Sequence, residues 1–207
     1  MARRKSDQRK VCNDFYIITN GEKTEKFYFD LLRKAKHSLY SVHVIFENAD
    51  PYKLVEYAKN FCKTANQVWC VFDIDYNYQE GRLIPALKFA KENDIKIAYS
   101  NKAFEVWLIS HFKEFDSASS IDKYAGILTG LLKKNGYSGT YDKTNESLVK
   151  DYFIPHYKDA VANAKVVYQR YVKKHHEEFD LDSAMPIWEW DASTTVFKLV
   201  EALKLST

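Results

Sequence analysis

Two aspartates, Asp73 and Asp75, stand directly after an apolar run and are well placed to do chemistry. The run over 68–72, VWCVF, has no polar interruption, which is typical of a strand covered on both faces in a parallel sheet. Ligands of open α/β sheets bind beyond the carboxyl ends of the strands. Residues i and i+2 of an extended segment point to the same side. The two carboxylates are therefore expected to meet at one spot, as a Mg²⁺ site requires.

A structural interpretation of the same two aspartates stays open. Acidic residues after a strand often cap the next helix or simply face water. Short patterns of this kind also arise frequently without any function. The uninterrupted apolar run and its abrupt end favour the metal-binding interpretation enough to keep both hypotheses in view.

The first half of the chain alternates between strand and helix patterns. Strands are predicted over 14–19, 41–46, 67–77 and 95–99, and helices over 22–36, 50–63 and 81–92. This order predicts a mostly parallel four-stranded sheet with right-handed crossovers, flanked by helices. The predicted fold class is therefore α/β.

Further titratable side chains belong to the helices that follow the first and fourth strands. Glu105 stands at the start of a helix predicted over 103–112, beside a strand end, and so faces the same rim as the aspartates. His111 lies on the apolar face of that helix, where a core or capping histidine is commoner than a ligand. Glu22 and Glu25 lie in the first turn of the first helix, where acids suit the helix dipole.

After residue 115 the hydrophobic pattern is helical only. Helices are predicted over 119–134, 147–155, 159–179 and 194–204, with polar or irregular loops over 136–145 and 185–192. The simplest division of the chain is an α/β domain over 1–115 and a helical C-terminal extension over 116–207, packed on it.

Composition narrows the class of protein. The 207 residues are 46% hydrophobic, enough for a core, and no apolar stretch approaches the roughly 20 residues of a membrane span. The basic start of the chain lacks the apolar segment of a signal peptide, so a cytoplasmic location is expected. Three cysteines without metal-ligand spacing are expected to be reduced thiols.

Positive charge is local, because the formal net charge is only +3. Basic clusters occur over 3–10 and 173–176. Either cluster could contact phosphates, but a solvated tail or helix end is the simpler interpretation of both.

Four stretches taken together resemble a known family. They are NGEKTEKFYF (20–29), FDIDYN (72–77), SNKAFEVWLISHF (100–112) and DASTTVFKLVEAL (191–203). In this order they are similar to the RloB family of Toprim-like proteins, over nearly the whole chain. The resemblance implies a compact parallel sheet between helices and a role in bacterial defence against phage. It also implies an OLD-like or ABC-type ATPase partner encoded nearby.

The resemblance further implies a catalytic site. Toprim enzymes use a glutamate after the first strand and an Asp-x-Asp after a later strand, with magnesium, for phosphodiester chemistry. Asp73 and Asp75 match the Asp-x-Asp, and Glu105 matches a plausible further acid of the third motif. Phe104 and Trp107 are expected to pack under the site.

The glutamate string of the family, EGEKTE, is matched except at its first residue. Gly21, Glu22, Thr24 and Glu25 correspond to it, whereas Asn20 stands where the family has its first glutamate. An amide oxygen can ligate magnesium but is neutral and a poor general base. Glu22 or Glu25 could compensate, since both lie at the same helix start.

Three functions follow from these residues. The first is a nuclease using Mg²⁺ or Mn²⁺ on DNA or RNA, with Asp73, Asp75, Glu25 and Asn20 as metal ligands and Glu22 and Glu105 as further acids. The second is a weakened or inactive subunit that binds an ATPase partner or nucleic acid. A homo-oligomer is an open alternative to a monomer under either function. The third is a phosphatase with an aspartyl nucleophile, which normally carries its motif on the first strand rather than the third.

Overall fold

The structure is a computed structural model that describes residues 13–74, 80–117, 119–175 and 189–206. Asp75 lies outside the described residues. The basic cluster over 3–10 and His176 of the second basic cluster lie outside them as well.

A mostly parallel sheet forms the centre of the fold, as predicted. Its strands are β1 (Asp14–Thr19), β2 (Ser41–Phe46), β3 (Gln67–Asp73), β4 (Lys96–Asn101) and β5 (Ser193–Thr194). Their order is β2-β1-β3-β4-β5, and every neighbouring pair is parallel except the antiparallel pair of β4 and β5. β5 makes a fifth strand beyond the four that were predicted. Two residues are too few to produce a strand pattern, and Ser193 was instead predicted to cap the last helix.

Helices connect the strands and continue beyond them. Their bounds are α1 (Thr24–Ala35), α2 (Pro51–Ala58), α3 (Leu83–Glu92), α4 (Glu105–Ser110), α5 (Ile121–Lys134), α6 (Glu146–Leu148), α7 (Tyr157–His175) and α8 (Val196–Ala202). A 3₁₀ turn, Lys59–Phe61, extends α2. Between α6 and α7 the chain is π-helical over Val149–Phe153 and 3₁₀ over Ile154–His156, where a single helix was predicted.

Two cores cover the two faces of the sheet. On one face, side chains of β3 such as Cys70 and Phe72 pack against α2 and α3. On the other face, Trp69 and Val71 belong to a larger core with α1, α4, α5, α7 and α8. Side chains from both sides of residue 115 contribute to this larger core, and the division into two domains stays a prediction.

The strand order creates a crevice between β1 and β3. From β1 the chain moves to β2 on one side, and from β3 it moves to β4 on the other. The carboxyl ends of β1 and β3 therefore lie at a topological switch point, where open α/β sheets bind their ligands. The register Thr19↔Val71 places the residues after β1 beside the end of β3.

The region after β4 differs from the prediction in its boundaries. β4 continues through Asn101, because Ser100 and Asn101 are held in the sheet by pairing with β5. The helix that follows, α4, is only six residues long. His111 is fully buried after α4, which confirms its structural interpretation. Among the described residues, no helix has the length and apolarity to cross a membrane.

Candidate active site at the carboxyl edge of the sheet

A pocket of about 370 Å³ opens at the switch point between β1 and β3. Its walls come from the turn after β1, the first turn of α1, the end of β3, the start of α4 and the loop after α5. The lining residues are Gly21, Glu22, Lys23, Thr24, Glu25, Asp73, Phe104, Glu105 and Lys143. Four carboxylates from three separate stretches of the chain thus share one pocket with two lysines.

Asp73 reaches the pocket because it ends the most buried strand. Residues 68–72 are all buried, and Asp73 is the first residue of β3 after them to be partly exposed. The backbone stays in the sheet through this point, since Asp73 pairs with Ser100 and Ile74 N–H donates to the Ser100 carbonyl at 3.0 Å. The strand therefore fixes where the Asp73 carboxylate emerges. The predicted convergence of Asp75 on the same spot falls outside the described residues.

Glu25 folds back over the turn that precedes its helix. A Cβ added at Gly21 would coincide with the Glu25 carboxylate, so only glycine leaves room for this close approach. Burial raises the pKa of the Glu25 carboxyl, and the negative charge of Glu105 raises it further. The Glu25 backbone N–H and the Lys143 ammonium act in the opposite direction. A solvent-facing acid at a helix start would not be arranged in this way, whereas Glu22 is exposed and fits that simpler explanation.

Glu105 is oriented by a tyrosine from the second half of the chain. The Tyr141 hydroxyl donates a hydrogen bond to Glu105 Oε1 at 3.2 Å. Burial and then the negative charge of Glu105 raise the Tyr141 pKa, so the hydroxyl keeps its proton. The Tyr141 backbone N–H donates to Thr129 Oγ1 of α5 at 2.9 Å, which fixes the tyrosine relative to that helix.

The loop between α5 and α6 also supplies Lys143. Thr24 Oγ1, at the start of α1, donates to the Lys143 carbonyl at 3.1 Å. Within the loop, Asp142 Oδ1 accepts from the N–H and the hydroxyl of Thr144, both at 2.8 Å. Asn145 Oδ1 accepts from Leu148 N–H at 3.1 Å and caps α6. The sequence predicted only a polar loop over 136–145 and did not indicate Lys143, which lines the pocket, or Tyr141, which donates to Glu105.

The chain matches a known protein family over nearly its whole length. A family model described as "RloB-like protein" matches residues 15–203, which includes every residue that lines the pocket. The chain belongs to the RloB-like family. The resemblance carried by the four sequence stretches is thereby confirmed.

This RloB-like chain also has a weaker similarity to one curated protein. It is 27% identical over 118 residues to the chaperone protein HtpG of Buchnera aphidicola subsp. Cinara cedri (strain Cc). The match covers 56% of this chain and 18% of the chaperone, so the chain spans less than a fifth of that relative. No solved structure matches the chain.

Asn20, the departure from the glutamate string, lies beside the pocket rather than in its wall. Its backbone N–H donates to the Val71 carbonyl at 3.3 Å, which holds it between β1 and β3. Within the described part of the chain, the pocket wall begins at Gly21. The amide at position 20 is therefore close to the site without lining it.

The acidic side chains that line the pocket offer oxygen atoms as metal ligands. Such a set suits hard cations, for which Asp and Glu carboxylates are the usual protein ligands. Over residues 13–74, 80–117, 119–175 and 189–206, no group of three His, Cys, Asp or Glu side chains has a ready metal-binding arrangement. The carboxylates of Glu25, Asp73 and Glu105 are of the ligand type that Mg²⁺ prefers, but these three are not arranged as one cluster that could hold a cation by themselves. Asp75, another member of the predicted metal set, follows Asp73 by two residues.

A further carboxylate, Asp191, acts on the same tyrosine as two acids of the pocket. Burial raises the pKa of Tyr124, and the negative charge of Asp191, followed by those of Glu105 and Asp73, raises it further. Asp191 Oδ2 is paired with Lys102 Nζ at 2.9 Å. Sequence reasoning placed Asp191 in the fourth family stretch but not at the site. Its distance along the chain from Asp73 left no local signal.

Proposed function

We propose that this RloB-like protein is a metal-dependent nuclease, with a Toprim-like fold, that hydrolyses phosphodiester bonds of nucleic acid. The observation that carries the proposal is the convergence of Glu25, Asp73 and Glu105 on one pocket at the switch point of the sheet. An acidic pocket of this kind is unsuited to an anionic polymer unless a cation binds there as well.

Mg²⁺ or Mn²⁺ is the cation that this donor set favours. Asp73 and Glu25 would hold it together with Asp75, and Glu105 and Glu22 would complete the set of acids. When bound, the cation lowers the pKa of a coordinated water and stabilises negative charge that develops on the phosphate. Asn20 contributes at most a neutral oxygen, so Glu25 supplies the charge expected of the residue after the first strand.

The chain's own residues position these groups. Gly21 allows the Glu25 carboxylate to lie against the backbone. Tyr141 donates a hydrogen bond to one oxygen of Glu105. The raised pKa of Glu25 means that a proton competes with the cation for this carboxylate, so metal affinity is expected to fall as the pH is lowered.

The biological setting is proposed from family membership. A cytoplasmic role in bacterial defence against phage, with an OLD-like or ABC-type ATPase partner, is consistent with a nuclease that must be controlled. DNA and RNA are both candidate substrates.

Cleavage assays on Asp73→Asn test the nuclease proposal. Wild-type protein should cleave single- or double-stranded DNA or RNA in Mg²⁺ or Mn²⁺ and not in EDTA. Asp73→Asn should lose about a hundredfold or more of that rate, because a cation ligand loses its charge. Asp94→Asn is the matched control, because Asp94 is an exposed turn residue paired with Lys96. This variant should cleave at the wild-type rate. Equal cleavage by wild type and Asp73→Asn would refute the proposal.

A binding subunit without catalysis is the second candidate, favoured by the neutral Asn20. It predicts wild-type protein that binds nucleic acid or an ATPase partner but cleaves neither DNA nor RNA in either metal. Cleavage that disappears in Asp73→Asn would exclude it.

A further inference from the structure

Lys143 is a basic residue in a pocket whose charged side chains are mainly acidic. It is one of two cations among the described residues that line the pocket, the other being Lys23 beside the exposed helix start. Its backbone carbonyl is held by Thr24 Oγ1. The turn formed by Asp142 and Thr144 fixes the loop on one side of it, and the Asn145 cap fixes it on the other. These bonds fix the backbone of the loop beside the pocket, and the exposed Lys143 lines that pocket.

Lys143 and the carboxylates reach the pocket from different parts of the chain. Glu25, Asp73 and Glu105 are delivered by elements at the carboxyl edge of the sheet, whereas Lys143 arrives on the loop that follows α5. Its ammonium is near enough to Glu25 to lower the pKa of that carboxyl. A ligand in this pocket would meet both a cation held by the carboxylates and the Lys143 ammonium. A phosphodiester carries its negative charge on two non-bridging oxygens and fits such a position.

We propose that Lys143 binds a non-bridging phosphate oxygen of a nucleic-acid strand in this pocket. The inference rests on the proposed function, since it takes the pocket to receive a phosphodiester. It assigns to the second half of the chain a direct contact with the substrate.

The competing role of Lys143 is to neutralise the acids of the pocket. In that case Lys143→Gln would tighten metal binding, because the carboxylates would lose a competing positive charge, and nucleic-acid binding would not change. In the proposed role, Lys143→Gln weakens the binding of a nucleic-acid strand and removes one counterion-releasing contact from it. The two roles therefore move different observables.

The test is fluorescence anisotropy of a labelled single-stranded DNA oligonucleotide with the full chain. Ca²⁺ replaces Mg²⁺ as the probe cation so that binding is read without cleavage. Affinity is measured at several salt concentrations for wild type, Lys143→Gln, Lys143→Arg and Lys96→Gln. Lys96 is the control, because it starts β4 at the opposite edge of the sheet and is exposed.

Lys143→Gln should bind the oligonucleotide roughly tenfold more weakly and lower the slope of log affinity against log salt by about 0.7. Lys143→Arg should recover most of the affinity, and Lys96→Gln should match wild type. Thermal melts of all four proteins should coincide.

The proposal is overturned if Lys143→Gln binds with wild-type affinity and slope, or if wild type does not bind the oligonucleotide at all. Failure of the nuclease proposal looks different, since binding that depends on Lys143 would persist without any cleavage in Mg²⁺ or Mn²⁺.

Discussion

At the scale of residues, the site depends on one close approach between a glycine and a carboxylate. The Glu25 carboxylate occupies the space where a side chain at position 21 would begin, so a larger residue than Gly21 would displace the end of Glu25 from this conformation. The same approach buries the carboxylate near Glu105 and raises its pKa. Two acids held together without a cation cost folding free energy, a common property of functional sites.

Glu25→Gln should therefore stabilise the metal-free protein. The folded-state pKa of Glu25 is raised above its usual 4.5, so the folded protein binds the proton more tightly and the ionised form opposes folding at neutral pH. We expect the melting temperature to rise by roughly 2–4 °C at pH 7, as about 1 kcal/mol gives in a chain of this size. The gain should vanish below pH 4.5, where the wild-type carboxyl is protonated in both states. Thermal melts in EDTA at the two pH values measure this.

Glu22→Gln is the control for that experiment, because Glu22 lines the same pocket but is exposed. Its melting temperature should equal that of wild type. A fall in melting temperature for Glu25→Gln at pH 7 would show that the carboxylate stabilises the fold and would contradict the explanation.

His111 gives a second prediction at this scale. Its Nδ1 lies 3.0 Å from the Trp107 carbonyl and its Nε2 lies 3.0 Å from the Tyr28 hydroxyl. Full burial lowers its pKa to about 3. The unfolded chain therefore binds a proton at His111 near pH 6.5, whereas the folded protein does not. Folding stability that is present above that pH is lost as the pH falls toward the folded-state pKa.

Urea unfolding at pH 7 and pH 5 measures this loss. His111 alone should remove roughly 2 kcal/mol of unfolding free energy between these pH values. His111→Gln should lower stability at pH 7 but show a flatter pH dependence, whereas exposed His37→Gln should keep the wild-type slope. Parallel slopes for wild type and His111→Gln would rule the histidine out as the cause.

At the scale of elements, the acidic pocket joins two kinds of structure. β1, β3 and the starts of α1 and α4 deliver the carboxylates, because parallel strands all end at one edge. The loop between α5 and α6 closes the pocket from the helical half, through Tyr141 and Lys143. The strand ends decide which acids meet, and the loop decides how they are held.

Tyr141→Phe tests the contribution of that loop. The change removes the hydroxyl that donates to Glu105 Oε1, which is worth about 1 kcal/mol for an ordinary hydrogen bond. If the nuclease proposal is right, kcat should fall about fivefold with little change in KM, because orientation of the acid is lost and substrate contacts are kept. Steady-state cleavage kinetics measure both quantities. Tyr137→Phe is the control. Tyr137 lies in the same loop, and its ring packs on Tyr152. An unchanged kcat for Tyr141→Phe would mean that Glu105 needs no such partner.

At the scale of the whole molecule, the sequence predicted what is local and missed what is distant. The α/β class and the four parallel strands were readable, because each strand is a short apolar run with a turn signal beside it. β5 was not readable, since Ser193 and Thr194 form a strand only through Ser100 and Asn101. The loop that carries Lys143 contacts Thr24 across 119 residues, and a polar loop has no periodicity that could predict such a contact.

The placement of the pocket residues was predictable only in part, and their roles stay predictions. Asp73 and Glu105 share a pocket because strands end at one edge of the sheet, whereas Glu25 was indicated by the family's glutamate string. The location of Asn20 outside the pocket wall depends on how the turn at Gly21 bends, which sequence spacing does not determine.

Calorimetric titration of Mg²⁺ and Mn²⁺ into the metal-free protein tests the central claim most directly. Wild type and Asp94→Asn should bind the cation at micromolar to sub-millimolar affinity, and Asp73→Asn should bind none. No binding by wild type, or equal binding by wild type and Asp73→Asn, would contradict it and leave the pocket without the cation on which the proposed chemistry depends.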